Sequence, residues 1–112
     1  MTAQPPLEIN CQQVALQLQD DGNALVIDCR EPDEHAGARI DGAKLIPMNQ
    51  IPERLSELQD FRDRPVTVLC HHGGRSLRVV NWLREQGFSH AQSMAGGIDQ
   101  WSREIDPSIP RY

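Results

Sequence analysis

The chemistry of this chain concentrates in the run Cys70-His71-His72-Gly73-Gly74-Arg75-Ser76, set between the apolar stretch Val66-Thr67-Val68-Leu69 and a helix-like segment. The thiolate is the reactive form of cysteine, and its pKa of about 8.5 falls at a helix N-terminus or beside cations. Both influences are encoded here. Gly73 and Gly74 allow a tight turn with inward N–H groups, an anion-binding concavity that the first turn of the next helix reinforces. Arg75 adds a permanent cation, and His71 and His72 add groups that donate or titrate near neutral pH. Cys70 is therefore the candidate nucleophile, and His71, His72, Gly73, Gly74, Arg75 and Ser76 form the candidate cradle for an anionic substrate.

Holding such a loop requires a strand before it and a helix after it. Ala24-Leu25-Val26-Ile27 and Val66 to Leu69 are nearly unbroken apolar runs, as in strands covered on both faces. Ala43 to Ile46 and Ala91 to Met94 are weaker strand candidates, and Leu7-Glu8-Ile9 suits a short edge strand. Helical segments are predicted over Ile51 to Leu58 and Ser76 to Gln86, the latter closed by Gly87 with Phe88 following. Asn10 with Gln13 resembles a helix N-cap and its reciprocal partner, ahead of Cys11, Val14, Ala15 and Leu18 at helical spacing. Asp21-Gly22-Asn23 signals a turn. Strands alternating with helices predict an α/β fold with a mostly parallel sheet. Such sheets carry their chemistry beyond the carboxyl ends of the strands. Asp28-Cys29-Arg30-Glu31 follows one strand and the Cys70 loop follows another, so neighbouring strands would place both clusters on one rim.

The chain's 112 residues suit one domain, loose only at its ends, about 1–6 and 106–112. A formal net charge of -5 leaves no basic footprint for nucleic acid or a membrane surface, so small molecules or proteins are the expected partners. Met1 to Pro6 has neither the positive start nor the apolar stretch of a secretory signal, and three cysteines make no disulfide framework, which together point to the cytoplasm. His35, His90, Cys11 and Cys29 are scattered, and adjacent His71 and His72 rarely converge on one ion. No metal or other cofactor is expected.

Four blocks in order carry a family resemblance. Val26-Ile27-Asp28-Cys29-Arg30-Glu31-Pro32 with Glu34, Ile40-Asp41-Gly42-Ala43 with Ile46-Pro47, the Cys70 to Ser76 loop, and Gly96-Gly97 with Trp101 resemble the single-domain rhodaneses, the thiosulfate sulfurtransferase family. The likeness runs nearly end to end. It implies the rhodanese-like fold, with helices on both faces of the sheet. It also implies a two-step transfer. The Cys70 thiolate takes the outer sulfur of a donor such as thiosulfate as a persulfide, and an acceptor (cyanide, a thiol or a sulfur-carrier protein) removes it. In this reading Arg75 and His71 orient the anionic donor, and Asp28 and Arg30 support the rim by charge-assisted hydrogen bonds that hold the loop. The chain departs from the family pattern at Cys29, where valine is common, at His35, and at Ala38-Arg39.

Other readings have their own marks. Phosphatases of similar architecture place five residues between cysteine and arginine, whereas His71 to Gly74 is four, a tighter cradle that suits sulfur transfer better than a tetrahedral phosphate. Rhodanese-like modules also serve as binding or regulatory domains without turnover, or as persulfide carriers for one docked protein. Cys11 reads as a core residue. Cys29 reads as packing at a strand end, or as a second thiol close enough to Cys70 to resolve a persulfide as a disulfide.

Overall fold

The structure, a computed structural model, describes residues 4–20 and 22–112. Met1 to Ala3, part of the segment read for a targeting signal, and Asp21 of the predicted turn lie outside the described residues. The strands are β1 (Glu8–Ile9), β2 (Leu25–Asp28), β3 (Lys44–Leu45), β4 (Val66–Leu69) and β5 (Ala91–Met94), and the helices are α1 (Cys11–Gln19), α2 (Pro32–Gly37), α3 (Gly74–Glu85) and α4 (Gly97–Glu104). The strands form one sheet in the order β1-β5-β4-β2-β3, and every pairing is parallel.

Because successive side chains of a strand point to opposite faces, each strand feeds two cores. On one face Ile27, Cys29, Val66, Val68 and Cys70 pack with Val79, Val80 and Leu83 of α3. On the other, Val26 and Leu69 pack with Cys11 and Val14 of α1 and with Ile98 and Trp101 of α4. Helices therefore cover both faces. Among the described residues no helix is long and apolar enough to cross a membrane.

The predicted cap forms as a capping box: the Gln13 N–H donates to Asn10 Oδ1 at 2.8 Å and the Asn10 N–H to Gln13 Oε1 at 3.0 Å. After α3, Gly87 is left-handed, and the Phe88 and Gly87 N–H groups donate to Leu83 O and Arg84 O, a Schellman ending. The helix predicted over Ile51 to Leu58 is instead a run of turns ending in a 3₁₀ helix, Leu55–Phe61, preceded by another at Met48–Gln50. Leu55, Leu58 and Phe61 recur every third residue and all pack on the α3-side core, a period that matches three residues per turn. The short α2 was not foreseen, since none of its residues is buried and no apolar period marks it. Glu31, Pro32 at the first helical position and Glu34 two residues later are its only sequence signal.

β2 and β4 are neighbours in the register Asp28↔Leu69, so the two polar clusters do share one rim. β3 lies on one side of β2 and β4 on the other. That divergence opens the sheet's carboxyl edge at the Cys70 loop.

Candidate active site

Cys70 leaves β4 and turns through Gly73 into α3. Gly73 has a φ of 114° and is the N-cap of α3, yet no side chain caps that helix. The sulfur occupies the place of the missing cap. The Gly73 N–H donates to Cys70 Sγ at 3.1 Å and the Ser76 N–H at 3.4 Å. A thiolate there receives two orphan donors and the positive end of a helix. Gly74 has no such conformational role, as its φ is not positive, so the turn expected of both glycines is made by Gly73.

Ser76 adds a third donor by proton counting. Its Oγ is 3.4 Å from Cys70 Sγ, 3.1 Å from Gly73 O and 2.7 Å from Ser93 Oγ, and both serines are buried. Each hydroxyl carries one proton. When Ser93 donates to Ser76, the single Ser76 proton is shared between Gly73 O and the sulfur, and a thiolate is the stronger acceptor. The Cys29 thiol lies just beyond the end of the adjacent strand, packed in the same core as Cys70. Of the influences that hold the Cys70 pKa down, the neighbouring Cys29 thiol ranks first, followed by the Ser76 hydroxyl and the two backbone groups, all opposing the cost of burial. Proximity to Cys70 and its own burial push the Cys29 thiol far above the ordinary range. Cys11 lacks such donors, and burial together with Glu104 pushes it up to about 11.

The loop's outer side is held from α4. The N–H groups of Ile98 and Asp99 donate to the carbonyls of Cys70 (2.8 Å) and His71 (3.2 Å). With its carbonyls bound to α4, the loop's N–H groups face the sulfur. Gly97, with a φ of 63°, permits this approach: a Cβ there would stand 2.5 Å from Cys70 O.

A cleft of about 420 Å³ opens over the sulfur, lined by Cys70, His71, His72, Gly74, Arg75 and Arg78. Arg75 is clamped by Glu34 of α2, with Nη1 and Nη2 donating to its two carboxylate oxygens at 2.8 and 2.9 Å. The clamp takes one donor from each terminal nitrogen and leaves the others for an anion. Arg78, one turn further along α3, is exposed and belongs to none of the described ion pairs. His71 is sandwiched between the rings of His72 (3.9 Å) and Tyr112 (3.8 Å), and its Nε2 has no hydrogen-bond partner among the described residues.

Asp28 and Arg30 are both fully buried and joined at 2.6 Å, but neither bonds to the Cys70 loop, contrary to the expectation that they hold it directly. Arg30 instead donates to Ala38 O and to Tyr112 Oη at 2.5 and 2.9 Å, and the Tyr112 hydroxyl donates to Glu34 at 3.0 Å. Their support reaches the loop through two intermediaries, Tyr112 on His71 and Glu34 on Arg75. The C-terminal segment, read from sequence as loose, supplies that link: Ile109 is buried, its carbonyl accepts from Ser102 Oγ at 2.5 Å, and Tyr112 lies over the loop.

Residues 12–104 match the family of the Rhodanese-like domain. The chain belongs to the rhodanese family. The "Sulfurtransferase" of Allochromatium vinosum is 35% identical over 102 residues, covering 91% of this chain and 94% of that protein. The chloroplastic Rhodanese-like/PpiC domain-containing protein 12 of Arabidopsis thaliana is 38% identical over 97% of this chain, but this chain spans only 38% of its length. Among solved structures, a rhodanese-related protein from Thermoplasma volcanium superposes with a TM-score of 0.78 at 28% identity, over 96% of this chain and all of that one.

Within this rhodanese, the site draws on residues that sequence reasoning did not assign: Glu34, Arg78, Ser93, Gly97 and Tyr112. Arg78 had a signal in its i, i+3 spacing from Arg75, which puts both cations on one helix face. Ser93 had none, because a buried serine in a strand looks like any small core residue.

Proposed function

We propose that this rhodanese is a sulfurtransferase that carries sulfane sulfur on Cys70 from a thiosulfate-like anion to a thiophilic acceptor. The observation that carries this reading is a buried sulfur at the N-terminus of α3, facing the Gly73 and Ser76 N–H groups on one side and a cationic cleft on the other. In the first half-reaction the Cys70 thiolate attacks the outer sulfur of thiosulfate. The S–S bond of the donor breaks, sulfite leaves with its electron pair, and Cys70 holds a persulfide anion. Arg75 and Arg78 draw the dianionic donor into the cleft and stabilise the departing sulfite. In the second, the acceptor's nucleophile attacks the terminal sulfur and the Cys70 thiolate is the leaving group.

The same donors serve as cradle and as leaving-group stabiliser. Preorganised donors at a developing anion are worth about 2.7–4 kcal/mol each in favourable sites. An apolar groove lined by Met48, Ile51, Pro52, Val79 and Trp82 adjoins the cleft through Arg78. That adjacency suits a sulfur-carrier protein or another protein thiol as acceptor better than a small molecule alone. Steady-state assays with thiosulfate and cyanide test the reading. Parallel double-reciprocal lines are expected for the wild type, and thiocyanate formation should vanish in Cys70→Ser. Turnover retained by Cys70→Ser would remove the cysteine from the mechanism and with it this function.

A further inference from the structure

Cys29 and Cys70 are the next residues beyond the paired Asp28 and Leu69 on neighbouring parallel strands. The Cys29 N–H still donates to Leu69 O at 3.0 Å, so the pairing continues to this point. Both side chains belong to the core on the α3 face. Adjacent strands lie about 4.7–4.9 Å apart, inside the roughly 4.4–6.8 Å Cα range that a disulfide spans. Cys29 is fully buried and is not among the residues that line the cleft. An external donor or acceptor therefore meets Cys70 from the loop side, while Cys29 meets it from the sheet side.

We infer that Cys29 resolves the Cys70 persulfide when no acceptor takes its sulfur, releasing hydrosulfide into the cleft and closing a Cys29–Cys70 disulfide. This rests on the persulfide of the proposed function and gives the sulfur a second fate. The two nucleophiles attack different atoms. An acceptor in the cleft attacks the terminal sulfur and leaves with it, whereas Cys29 attacks the inner sulfur, Cys70 Sγ. The Sγ–Sγ bond forms, the bond to the terminal sulfur breaks, and the Cys29 proton passes to the departing atom. The persulfide anion and the Cys29 thiol thus become a disulfide and HS⁻. The thiol is oxidised and the sulfane sulfur reduced, so no outside oxidant is needed. Two small-molecule thiols return the protein to its dithiol form: the first attacks Cys70 Sγ from the cleft and frees Cys29, and the second attacks the sulfur of the first, freeing Cys70 and leaving as the small-molecule disulfide. Cys29 is fully buried and away from the cleft, which disfavours its thiolate and keeps it protonated until that moment. Resolution is therefore the slower branch, and a docked acceptor outcompetes it.

The test loads full-length protein with thiosulfate, removes the excess under anaerobic conditions, and follows intact mass and free sulfide without any added thiol. Wild type is expected to lose its added sulfur, release one equivalent of sulfide, and settle at the mass of the reduced chain less two hydrogens. Peptide mapping should join Cys29 to Cys70 and leave Cys11 free. Cys29→Val and Cys29→Ala should hold the persulfide at least about tenfold longer. A wild-type persulfide as long-lived as that of both variants, or equal sulfide release from all three, overturns the inference and leaves the proposed function standing. If none of the proteins takes up sulfur, the persulfide reading itself fails and the inference falls with it.

Discussion

Two junctions in this molecule share one local plan and do different work. β4 runs through Gly73-Gly74 into α3, and β5 runs through Gly96-Gly97 into α4. Both helices begin at a left-handed glycine N-cap with no side-chain cap. At the first junction the vacant N–H groups receive the sulfur of Cys70, the proposed nucleophile. At the second they receive the backbone carbonyls of Cys70 and His71. One junction holds the proposed reactive atom and the other holds the loop that presents it. A helix N-terminus is thus a general anion and carbonyl receptor, and its role is decided by what the rest of the fold brings to it.

The largest expected effects break the second junction. Gly97→Ala sets a Cβ against the Cys70 carbonyl from a left-handed backbone, and it should cost about 2–4 kcal/mol in urea denaturation and raise the Cys70 pKa. Gly73→Ala meets nothing closer than 3.7 Å and should cost only its backbone strain, about 1–2 kcal/mol. Gly74→Ala has neither a positive φ nor a neighbour within 4 Å, and it should be neutral or slightly stabilising. A series in which all three behave alike would dissolve the distinction between the junctions.

The next effect sharpens the first junction. Iodoacetamide alkylation of Cys70, read by peptide mass against pH, should show its inflection far below the ordinary thiol range. Cys29→Val should move that inflection upward by removing the neighbouring thiol, and Ser93→Ala should move it less, by removing the hydroxyl that donates to Ser76 and polarises it toward the sulfur. An inflection unmoved in both variants would leave the Ser76 hydroxyl and the backbone N–H groups as the cause.

The Glu34–Arg75 clamp predicts a pH window. Hydrogen bonds from Arg75 hold Glu34 at about 2, against an ordinary 4.5. Because the folded-state value is depressed, its stabilisation is present in full above about 4.5 and is lost as pH falls toward about 2. Glu34→Gln should therefore lower the urea midpoint at neutral pH and converge on wild type at low pH. A difference that persists undiminished at low pH would assign the loss to packing. The smallest effect is expected for Tyr112→Phe, which keeps the stack on His71 and removes hydrogen bonds to Arg30 and Glu34. It should cost about 1 kcal/mol or less, with a rise in KM for thiosulfate.

How much of this was legible depended on the kind of signal. β2 and β4 were visible as apolar runs because both of their faces are buried, and α1 announced itself through Asn10 and Gln13. The Cys70 loop was visible because its glycines, cations and cysteine are jointly unusual. The 3₁₀ segment was misread as an α-helix because Leu55, Leu58 and Phe61 fit a three-residue period as well as a helical stripe. Arg30, Glu34 and Tyr112 are joined by contacts spanning up to 82 positions along the chain, which no local pattern encodes. Asp28 and Arg30 lie at and just beyond the end of β2, and their path to the loop through Tyr112 and Glu34 needed the C-terminal segment to be seen in place.

The central claim is that Cys70 is held as a thiolate that accepts sulfur, and intact-protein mass spectrometry tests it most directly. Wild type incubated with thiosulfate should gain one sulfur atom and lose it when cyanide is added, while Cys70→Ser gains none. A wild type that stays unmodified across thiosulfate and other sulfane donors, or a Cys70→Ser variant that gains sulfur equally, would contradict it.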